Sequence, residues 1–292
     1  MWKQGGYNTI LDILMKKYPN PQEQLPIEEK ILLNKEVNKI VWEKTSENSK
    51  NVFIETSDGS VFAADYLIFT PSLGVLKNTH RNLFVPHLPE DKINAISKLG
   101  MGAISKISMH FPERWWPTAD SINFIFVWSE EDKELIMKEF PFGPTEGGKT
   151  WLSNVLSVVS THENSNILTA WCGGEFIPEI EKLNDTLITD GVMYIFNKFL
   201  GDKYNITRPD AILRNNWYEN PHFRGTYSYE TVESHKEGVS QELILAKPLK
   251  TSDGQEVVLF AGEATHPIYY STVHGAIETG FREAQRIIDM HQ

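Results

Sequence analysis

The length of 292 residues fits one large domain or two small ones and is sufficient to bury a sizeable hydrophobic core. Hydrophobic residues make up 40% of the chain and charged residues 23%, which argues against a disordered, fibrous or membrane-spanning protein. The net charge of −11 argues against nucleic acid or a membrane surface as a partner and weakly favours a cationic one. The single cysteine, Cys172, excludes an internal disulfide and any metal site built from several cysteines.

The N-terminal part predicts a helix followed by short strands. Apolar residues recur at helical spacing from Tyr7 to Met15. The Asp58-Gly59 pair lies between two β-rich runs and predicts a hairpin, and the dense apolar run 66–69 predicts a strand buried on both faces. Strands are predicted around Leu32 and over residues 37–42, 51–59 and 60–70.

The rest of the chain mixes helices and strands. Alternation in "AISKISMHF" places Lys106 on one strand face with Ser108 and His110, opposite Ile107 and Met109. Helices are predicted over 89–99, 130–139, 184–200 and from Ser271 or Thr272 to Ile288, and further strands in "ILTAWCGG", "AILRNNW" and "EVVLFAGEAT". These elements predict a mixed α/β (α+β) fold with a sheet assembled from both ends of the chain and a mixed middle.

Two features carry candidate chemistry, and each has an ordinary alternative. The strand–Gly–Glu–loop–helix stretch 259–280 either presents a helix N-terminus to an anion or flat cofactor, or is a tight strand-to-helix corner. Lys106 is either a reactive amine that faces a cleft or a lysine on the solvent face of a strand. The pattern alone leaves both pairs open.

Several known signatures are missing from the sequence. It contains no GxGxxG after an early strand, no P-loop, no HExxH and no GxSxG. Its nine histidines are scattered singly, without the spacing of metal ligands, and we therefore expect no metal site.

The segment "LFAGEATHPIYYSTVHGAIETGFREAQRII" resembles the C-terminal signature of flavin-containing amine oxidases, most closely the spermine oxidase and N1-acetylpolyamine oxidase branch. The motifs "GGYNTILDILMKK", "LLNKEVNKIVWE", "VFIETSDGSVFAADYLIFTPSLGVLK", "ISKLGMGAISKISMHF" and "NNWYENPHFRGTYSY" match in order, so the resemblance covers nearly the whole chain. It implies an incomplete Rossmann-like FAD-binding domain and a substrate domain of mixed sheet and helices. Residues 1–77 would form part of the FAD-binding domain with a hairpin extension, 78–228 the substrate domain, and 229–292 the strand and helix that complete the FAD-binding domain.

The resemblance also implies roles for individual residues. Lys106 corresponds to the catalytic lysine that holds a water beside flavin N5, and Tyr227 and Thr272 correspond to residues that flank the substrate amine. Cofactor contacts are implied for Val37, Trp217, Gly262, Glu263, Thr272 and Val273.

Two departures from monoamine oxidases narrow the expected cofactor attachment and substrate class. Thr226 replaces the cysteine that bonds to FAD, which implies non-covalent FAD, and Thr272 replaces a tyrosine, which favours an extended polyamine over a small arylamine.

Whole members of the family begin with a glycine-rich FAD-binding βαβ unit, whereas this sequence starts at "KQGGY", which resembles the middle of the family. We therefore expect a portion of a longer enzyme that lacks an N-terminal segment and leaves a sheet edge and apolar faces exposed. The implied reaction is the oxidation of spermine, spermidine or an N-acetylated form by FAD and O2, with release of an aldehyde, a shorter amine and H2O2. The alternatives are a non-catalytic remnant that acts as a binding partner, and a related flavoenzyme such as a histone-lysine demethylase or protoporphyrinogen oxidase. We expect a cytoplasmic location.

Overall fold

The computed structural model describes residues 6–43, 50–118, 121–160, 166–236 and 238–292. The helices in these ranges are α1 (Asn8–Leu14), α2 (Leu73–Leu83), α3 (Glu90–Lys98), α4 (Glu130–Glu139), α5 (Ile177–Ile180), α6 (Asp185–Leu200), α7 (Val232–His235), α8 (Gln241–Ala246) and α9 (Val273–Asp289). The strands are β1 (Val37–Val41), β2 (Val52–Thr56), β3 (Val61–Ala64), β4 (Leu67–Phe69), β5 (Phe84–Val85), β6 (Gly100–Gly102), β7 (Ile104–His110), β8 (Asn123–Ile125), β9 (Thr145–Glu146), β10 (Lys149–Thr150), β11 (Val155–Ser160), β12 (Ile167–Gly173), β13 (Ala211–Arg214), β14 (Tyr227–Tyr229), β15 (Leu249–Lys250) and β16 (Glu256–Phe260). Gly5, the first residue of one motif quoted above, lies outside the described residues.

A five-stranded antiparallel sheet of order β13-β7-β12-β11-β8 supports the larger hydrophobic core. Its central strands alternate as the sequence predicts: Ile107 and Met109 on β7 and Leu168 and Ala170 on β12 are buried. Helix α6 contributes its apolar face to the same core, and the side chain of Asn184 caps its N-terminus by accepting a hydrogen bond from the backbone N–H of Leu187 at 2.9 Å. The opposite face of β7, which carries Lys106, is left for the site.

A second core joins two smaller sheets, β3-β2-β1-β5 and β15-β16-β4, with α2, α3 and α8. The aromatic ring centroid of Phe69 lies 5.3 Å from that of Phe84 and 5.7 Å from that of Phe260, so this core connects both sheets. Strands β4 and β16 pair in parallel, with Leu67 opposite Val258, although these two residues are far apart in the sequence. The sheet is therefore assembled from both halves of the chain, and the mixed α/β class is confirmed. The domain boundaries at residues 77 and 228 stay a prediction.

The structure corrects several strand predictions. The segment around Leu32 is not a strand, because no other described segment pairs with it, and Leu33 is 77% exposed. The predicted strand over 60–70 is divided into β3 and β4, which belong to different sheets. The chain changes sheets at Asp65, whose carbonyl accepts a hydrogen bond from Asn51 Nδ2 at 3.0 Å. Strand β4 lies at a sheet edge, and Leu67 and Ile68 are half-buried rather than buried on both faces.

Helix α9 packs through a different face from the one that its apolar residues suggest. Gly275, Thr279 and Glu283 are its buried residues. The small and apolar residues that share one face of the helix are half-buried or exposed; they are Ala276, Ile277, Gly280, Ala284 and Ile287. Polar contacts hold the buried face against the end of β16: Thr279 Oγ1 accepts a hydrogen bond from the Gly262 N–H at 2.8 Å, and Arg282 Nη2 donates to the Phe260 carbonyl at 2.8 Å. Within the described ranges, no helix combines the length and the apolar character needed to cross a membrane.

Candidate functional site

A cavity of about 510 Å³ is lined by residues of the second core and by Ile104 and Lys106 of β7. Its wall is formed by the start of α2, by β6 and β7, by the segment 217–227 and by the end of β16 with the turn that follows it. Most of this wall is apolar, and the volume falls in the range of small-molecule sites. The cavity is therefore the candidate site.

Lys106 lies in the wall of this cavity. Strand pairing places it opposite Trp171 on β12, and its Nζ lies 4.1 Å from the centroid of the Trp171 ring, a cation–π contact. The lysine therefore lies in the cavity wall and is also exposed on this face of β7. An ammonium group there supplies three hydrogen-bond donors and a positive charge to whatever occupies the cavity.

Trp217 lines the cavity. The loop that carries it is held by hydrogen bonds to Glu181. Glu181 is only 2% exposed, and its carboxylate accepts hydrogen bonds from the backbone N–H groups of Tyr218 at 3.0 Å and Glu219 at 2.9 Å. The Glu181 carbonyl also accepts a hydrogen bond from Arg214 Nη1 at 3.1 Å. Glu181 lies in none of the motifs quoted above and is more than 30 residues from the N–H groups that it binds, so no local pattern marks it.

Tyr227 and Thr226 form the adjoining wall. Strand β14 pairs with β6, with Tyr227 opposite Gly102. The Thr226 hydroxyl donates to the Gly102 carbonyl at 3.2 Å and accepts from the Ile104 backbone N–H at 3.1 Å. Thr226 therefore fixes the strand that carries Tyr227 beside the strand that carries Lys106.

Gly262 and Glu263 form the turn at the end of β16 and line the cavity from the opposite side. Gly262 has a φ of 131°, a conformation that strongly favours glycine, and its N–H donates to Thr279 Oγ1 on α9 at 2.8 Å. The Glu263 carboxylate accepts hydrogen bonds from the Ser228 backbone N–H at 3.2 Å, the Ser228 hydroxyl at 2.6 Å and the Ser271 backbone N–H at 2.6 Å. The turn is therefore tied both to β14 and to the loop before α9.

Three of the residues predicted for the site do not line this cavity. Thr272 caps α9, because its hydroxyl accepts from the Gly275 N–H at 3.1 Å and donates to the Tyr269 carbonyl at 2.6 Å. Val273 follows it and is 45% exposed. Val37 lies at the start of β1 and is 41% exposed. The structure thus brings together Lys106, Trp217, Tyr227, Gly262 and Glu263, while the roles of all eight residues stay predictions.

A buried lysine that the sequence did not single out lies behind the cavity wall. Lys92 of α3 is 2% exposed, and its Nζ donates to the carbonyls of Leu245 at 2.7 Å and Lys247 at 2.6 Å, at the end of α8. Its Nζ also lies 3.9 Å from the ring centroid of Phe260, which lines the cavity. Burial lowers the pKa of Lys92 to about 7, because removal from water disfavours the charged ammonium. In the described part of the chain, no group of His, Cys, Asp and Glu is placed to hold a metal ion.

Comparison with known proteins gives the same result as the motifs. The sequence profile of the flavin containing amine oxidoreductase family matches residues 4–288. The chain belongs to the flavin-containing amine oxidase family. The family is defined by its flavin, and FAD is the cofactor that it implies for this member.

Individual relatives of the chain include proteins named as polyamine oxidases and one named as a histone demethylase. The chain is 34% identical to probable polyamine oxidase 5 of Arabidopsis thaliana over 88% of this chain and 51% of that protein. It is 30% identical to the peroxisomal N(1)-acetyl-spermine/spermidine oxidase of Bos taurus over 98% of this chain and 54% of that protein. It is also 32% identical to lysine-specific histone demethylase 1 homolog 2 of Oryza sativa subsp. japonica, over 85% of this chain and 30% of that protein. The chain therefore spans about half the length of the first two relatives.

The cavity of this chain fits the ring end of FAD. An isoalloxazine is flat and largely apolar, with hydrogen-bonding atoms along its edges, and the cavity offers apolar walls, the indole of Trp217 and the ammonium of Lys106. A Cβ built on Gly262 would have its nearest neighbour, the Thr70 carbonyl oxygen, at 3.9 Å, so the backbone of this turn is open to close approach. The residues present therefore suit the group.

Proposed function

We propose that this chain forms the substrate-facing part of an FAD-dependent oxidase that acts on polyamines: spermine, spermidine or their N-acetylated forms. The main support is that Lys106, Trp217 and Tyr227 line the same cavity as the Gly262-Glu263 turn. The relatives named as polyamine oxidase and as acetyl-spermine/spermidine oxidase support the substrate class. Overall, an amine, O2 and water would be converted to an aldehyde, a shorter amine and H2O2.

In this proposal the cavity residues hold the cofactor and the substrate in contact. Bound FAD would supply the hydride acceptor for the carbon next to the reacting amine and the route of electrons to O2. Trp217 and the open backbone at Gly262 would hold the ring, and the Lys106 ammonium would donate a hydrogen bond to a water beside it. Thr226 has no thiol to bond the ring, so the FAD would be held non-covalently.

The charge of Lys106 also bears on the substrate. A protonated amine beside this ammonium would be repelled inside a largely apolar cavity, where charges are weakly screened. The reacting amine would therefore bind in its neutral form, with Tyr227 packed beside it. The remaining ammonium groups of an extended polyamine would lie outside, where the net charge of −11 favours them.

Retention of FAD tests the cofactor part of the proposal. The purified chain is incubated with FAD and desalted, and its absorbance is recorded. We expect a retained flavin band that Trp217→Ala weakens and that Lys203→Met, on the exposed surface, leaves unchanged. A colourless wild-type chain would contradict FAD binding by these residues alone and would favour a non-catalytic remnant.

Turnover tests the substrate part. The flavin-loaded protein is mixed with spermine, spermidine, N1-acetylspermine and a methylated lysine peptide, and H2O2 release is measured. We expect activity on polyamines that Lys106→Met reduces and Lys203→Met does not. Activity on the peptide alone would favour the demethylase alternative, to which the rice relative gives some support.

We place the protein in the cytoplasm, and imaging of a tagged chain tests that location against the peroxisome.

A further inference from the structure

A second cavity of about 500 Å³ lies on the other side of the segment 217–224 from the candidate site. Trp217 and Phe223 line the first cavity, whereas Tyr218 and Arg224 line the second, so neighbouring residues of one segment face the two spaces. Met101 lines both. The second cavity is therefore a separate cleft with a shared wall.

The charge of this cleft is opposite to that of the whole chain. Lys77 and Arg224 line it, and its lining contains no aspartate or glutamate, in a chain with a net charge of −11. Lys77 Nζ donates to the carbonyls of Ile96 at 2.6 Å and Ser97 at 3.2 Å, which uses two of its three donors. Within the described ranges, neither cation forms an ion pair with a carboxylate.

Among the residues that the structure describes, Arg224 lacks a hydrogen-bond acceptor for its Nε–H, and Lys77 lacks a compensating negative charge. Arg224 Nε is buried and has no hydrogen-bond partner in the described part of the chain, although buried donors are nearly always paired. Burial lowers the pKa of Lys77, which means that its charged form is poorly compensated where it lies. An anion in the cleft would supply what both groups lack.

The cleft is built rigidly around these cations. A Cβ on Gly74 would lie 2.1 Å from the Arg224 carbonyl oxygen, so the Arg224 backbone rests directly on the first turn of α2. The Ser72 hydroxyl donates to the Phe223 carbonyl and fixes the preceding residue. A Cβ on Gly100 would lie 2.3 Å from Cζ of Tyr229, which holds that ring across β6. These contacts fix the walls in advance and so lower the ordering cost of binding.

We propose that this cleft binds a small oxyanion, a phosphate or carboxylate group, between Lys77 and Arg224. The guanidinium fork of Arg224 suits two oxygens of one anion, and Lys77 adds a second positive charge. The tyrosines Tyr218 and Tyr229 add ring surface for an organic group attached to the anion. This inference does not depend on the proposed oxidase function.

Isothermal titration calorimetry of the chain with inorganic phosphate, at an ionic strength held constant with NaCl, tests the site. We expect saturable one-to-one binding that Arg224→Gln weakens by about tenfold or more, because a charge-assisted hydrogen bond is lost. The matched control is Arg81→Gln, which removes the same charge from an exposed position of the same helix α2 as Gly74, and it should change the affinity less than about twofold. Absence of saturable binding to the wild-type chain, or an equal loss in both variants, overturns the proposal.

A second variant guards against a folding defect in the first. Asn78 lines the cleft and is exposed, so Asn78→Asp introduces a carboxylate of nearly the same shape without disturbing the core. We expect it to abolish phosphate binding with an unchanged far-ultraviolet circular dichroism spectrum; retained binding contradicts the proposal. Phenyl phosphate distinguishes the source of the anion. Tighter binding than inorganic phosphate assigns the cleft to an organic phosphate, and equal binding assigns it to the free anion.

Discussion

Glu263 holds Ser228 by its backbone and by its side chain at once. Oε1 of Glu263 accepts from the Ser228 N–H at 3.2 Å, and Oε2 accepts from the Ser228 hydroxyl at 2.6 Å. Oε2 also accepts from the Ser271 N–H at 2.6 Å. One carboxylate therefore joins the turn after β16, the strand that carries Tyr227 and the loop that leads into α9.

Glu263→Gln should destabilise the chain. The amide nitrogen of glutamine is a donor, and it would face one of the three donors that the carboxylate now satisfies. We expect a loss of about 1–3 kcal/mol in the free energy of unfolding, measured by urea denaturation. The control is Glu233→Gln, which removes an exposed ion pair with Lys236 and should cost less than about 0.5 kcal/mol. Equal free energies of unfolding in the two variants would contradict a stabilising role for the Glu263 carboxylate.

Lys92 should make stability rise with pH. Its pKa is lowered from 10.5 to about 7 in the folded chain, so unfolding takes up a proton between these values. The free energy of unfolding contributed by this residue therefore increases from pH 7 towards pH 10.5. We expect the increase between pH 7 and pH 9 to be about 2 kcal/mol larger in the wild type than in Lys92→Met, measured by urea denaturation.

The matched control for this pH dependence is Lys203→Met, at an exposed position, which should keep the wild-type pH dependence. The comparison uses the change between two pH values, so any loss of packing or hydrogen bonding in Lys92→Met that is independent of pH cancels. Parallel pH profiles of the wild type and Lys92→Met would show that Lys92 stays charged when buried.

Local patterns predicted much of the fold. The alternation through β7, the hairpin at Asp58-Gly59 and the helix capped at Asn184 all depend on residues close together in sequence, and the structure has them. The prediction that the run 66–69 is buried on both faces was wrong, because an apolar strand at a sheet edge can have the same composition as one in the centre. Which neighbour a strand receives depends on distant segments, and local composition does not encode it.

The site shows the same division. Motif resemblance pointed to Lys106, Trp217 and Tyr227, which the fold brings to one cavity. No sequence motif pointed to Glu181 or Lys92, because their partners are backbone groups at least 35 residues away. A backbone group has no identity in the sequence, so a side chain that binds one at long range leaves no readable pattern.

The two glycines of α9 should respond oppositely to alanine. A Cβ on Gly275 would lie 2.0 Å from the Tyr269 carbonyl oxygen, whereas a Cβ on Gly280 has no neighbour within 4 Å. We expect Gly275→Ala to lower the free energy of unfolding by about 1–3 kcal/mol through displacement of the loop. Gly280→Ala should raise it by about 0.5–1 kcal/mol, because alanine favours the helix. Each variant serves as the control for the other in thermal and urea denaturation, and a shift of the same sign in both would contradict the packing described for this helix.

Glu181 should control the order of the loop that carries Trp217. In Glu181→Gln only one side-chain oxygen remains to accept from the N–H groups of Tyr218 and Glu219, which the carboxylate holds at 3.0 Å and 2.9 Å. We expect these two amides to exchange with deuterium about tenfold faster or more, measured by NMR, because a buried charge-assisted hydrogen bond is lost. Glu179→Gln changes an exposed carboxylate two residues away and should leave both rates unaltered. If the rates at Tyr218 and Glu219 are the same in both variants, the loop is held by its other contacts, Arg214 and Asn216 to the Glu181 carbonyl, and the carboxylate has no part in positioning Trp217.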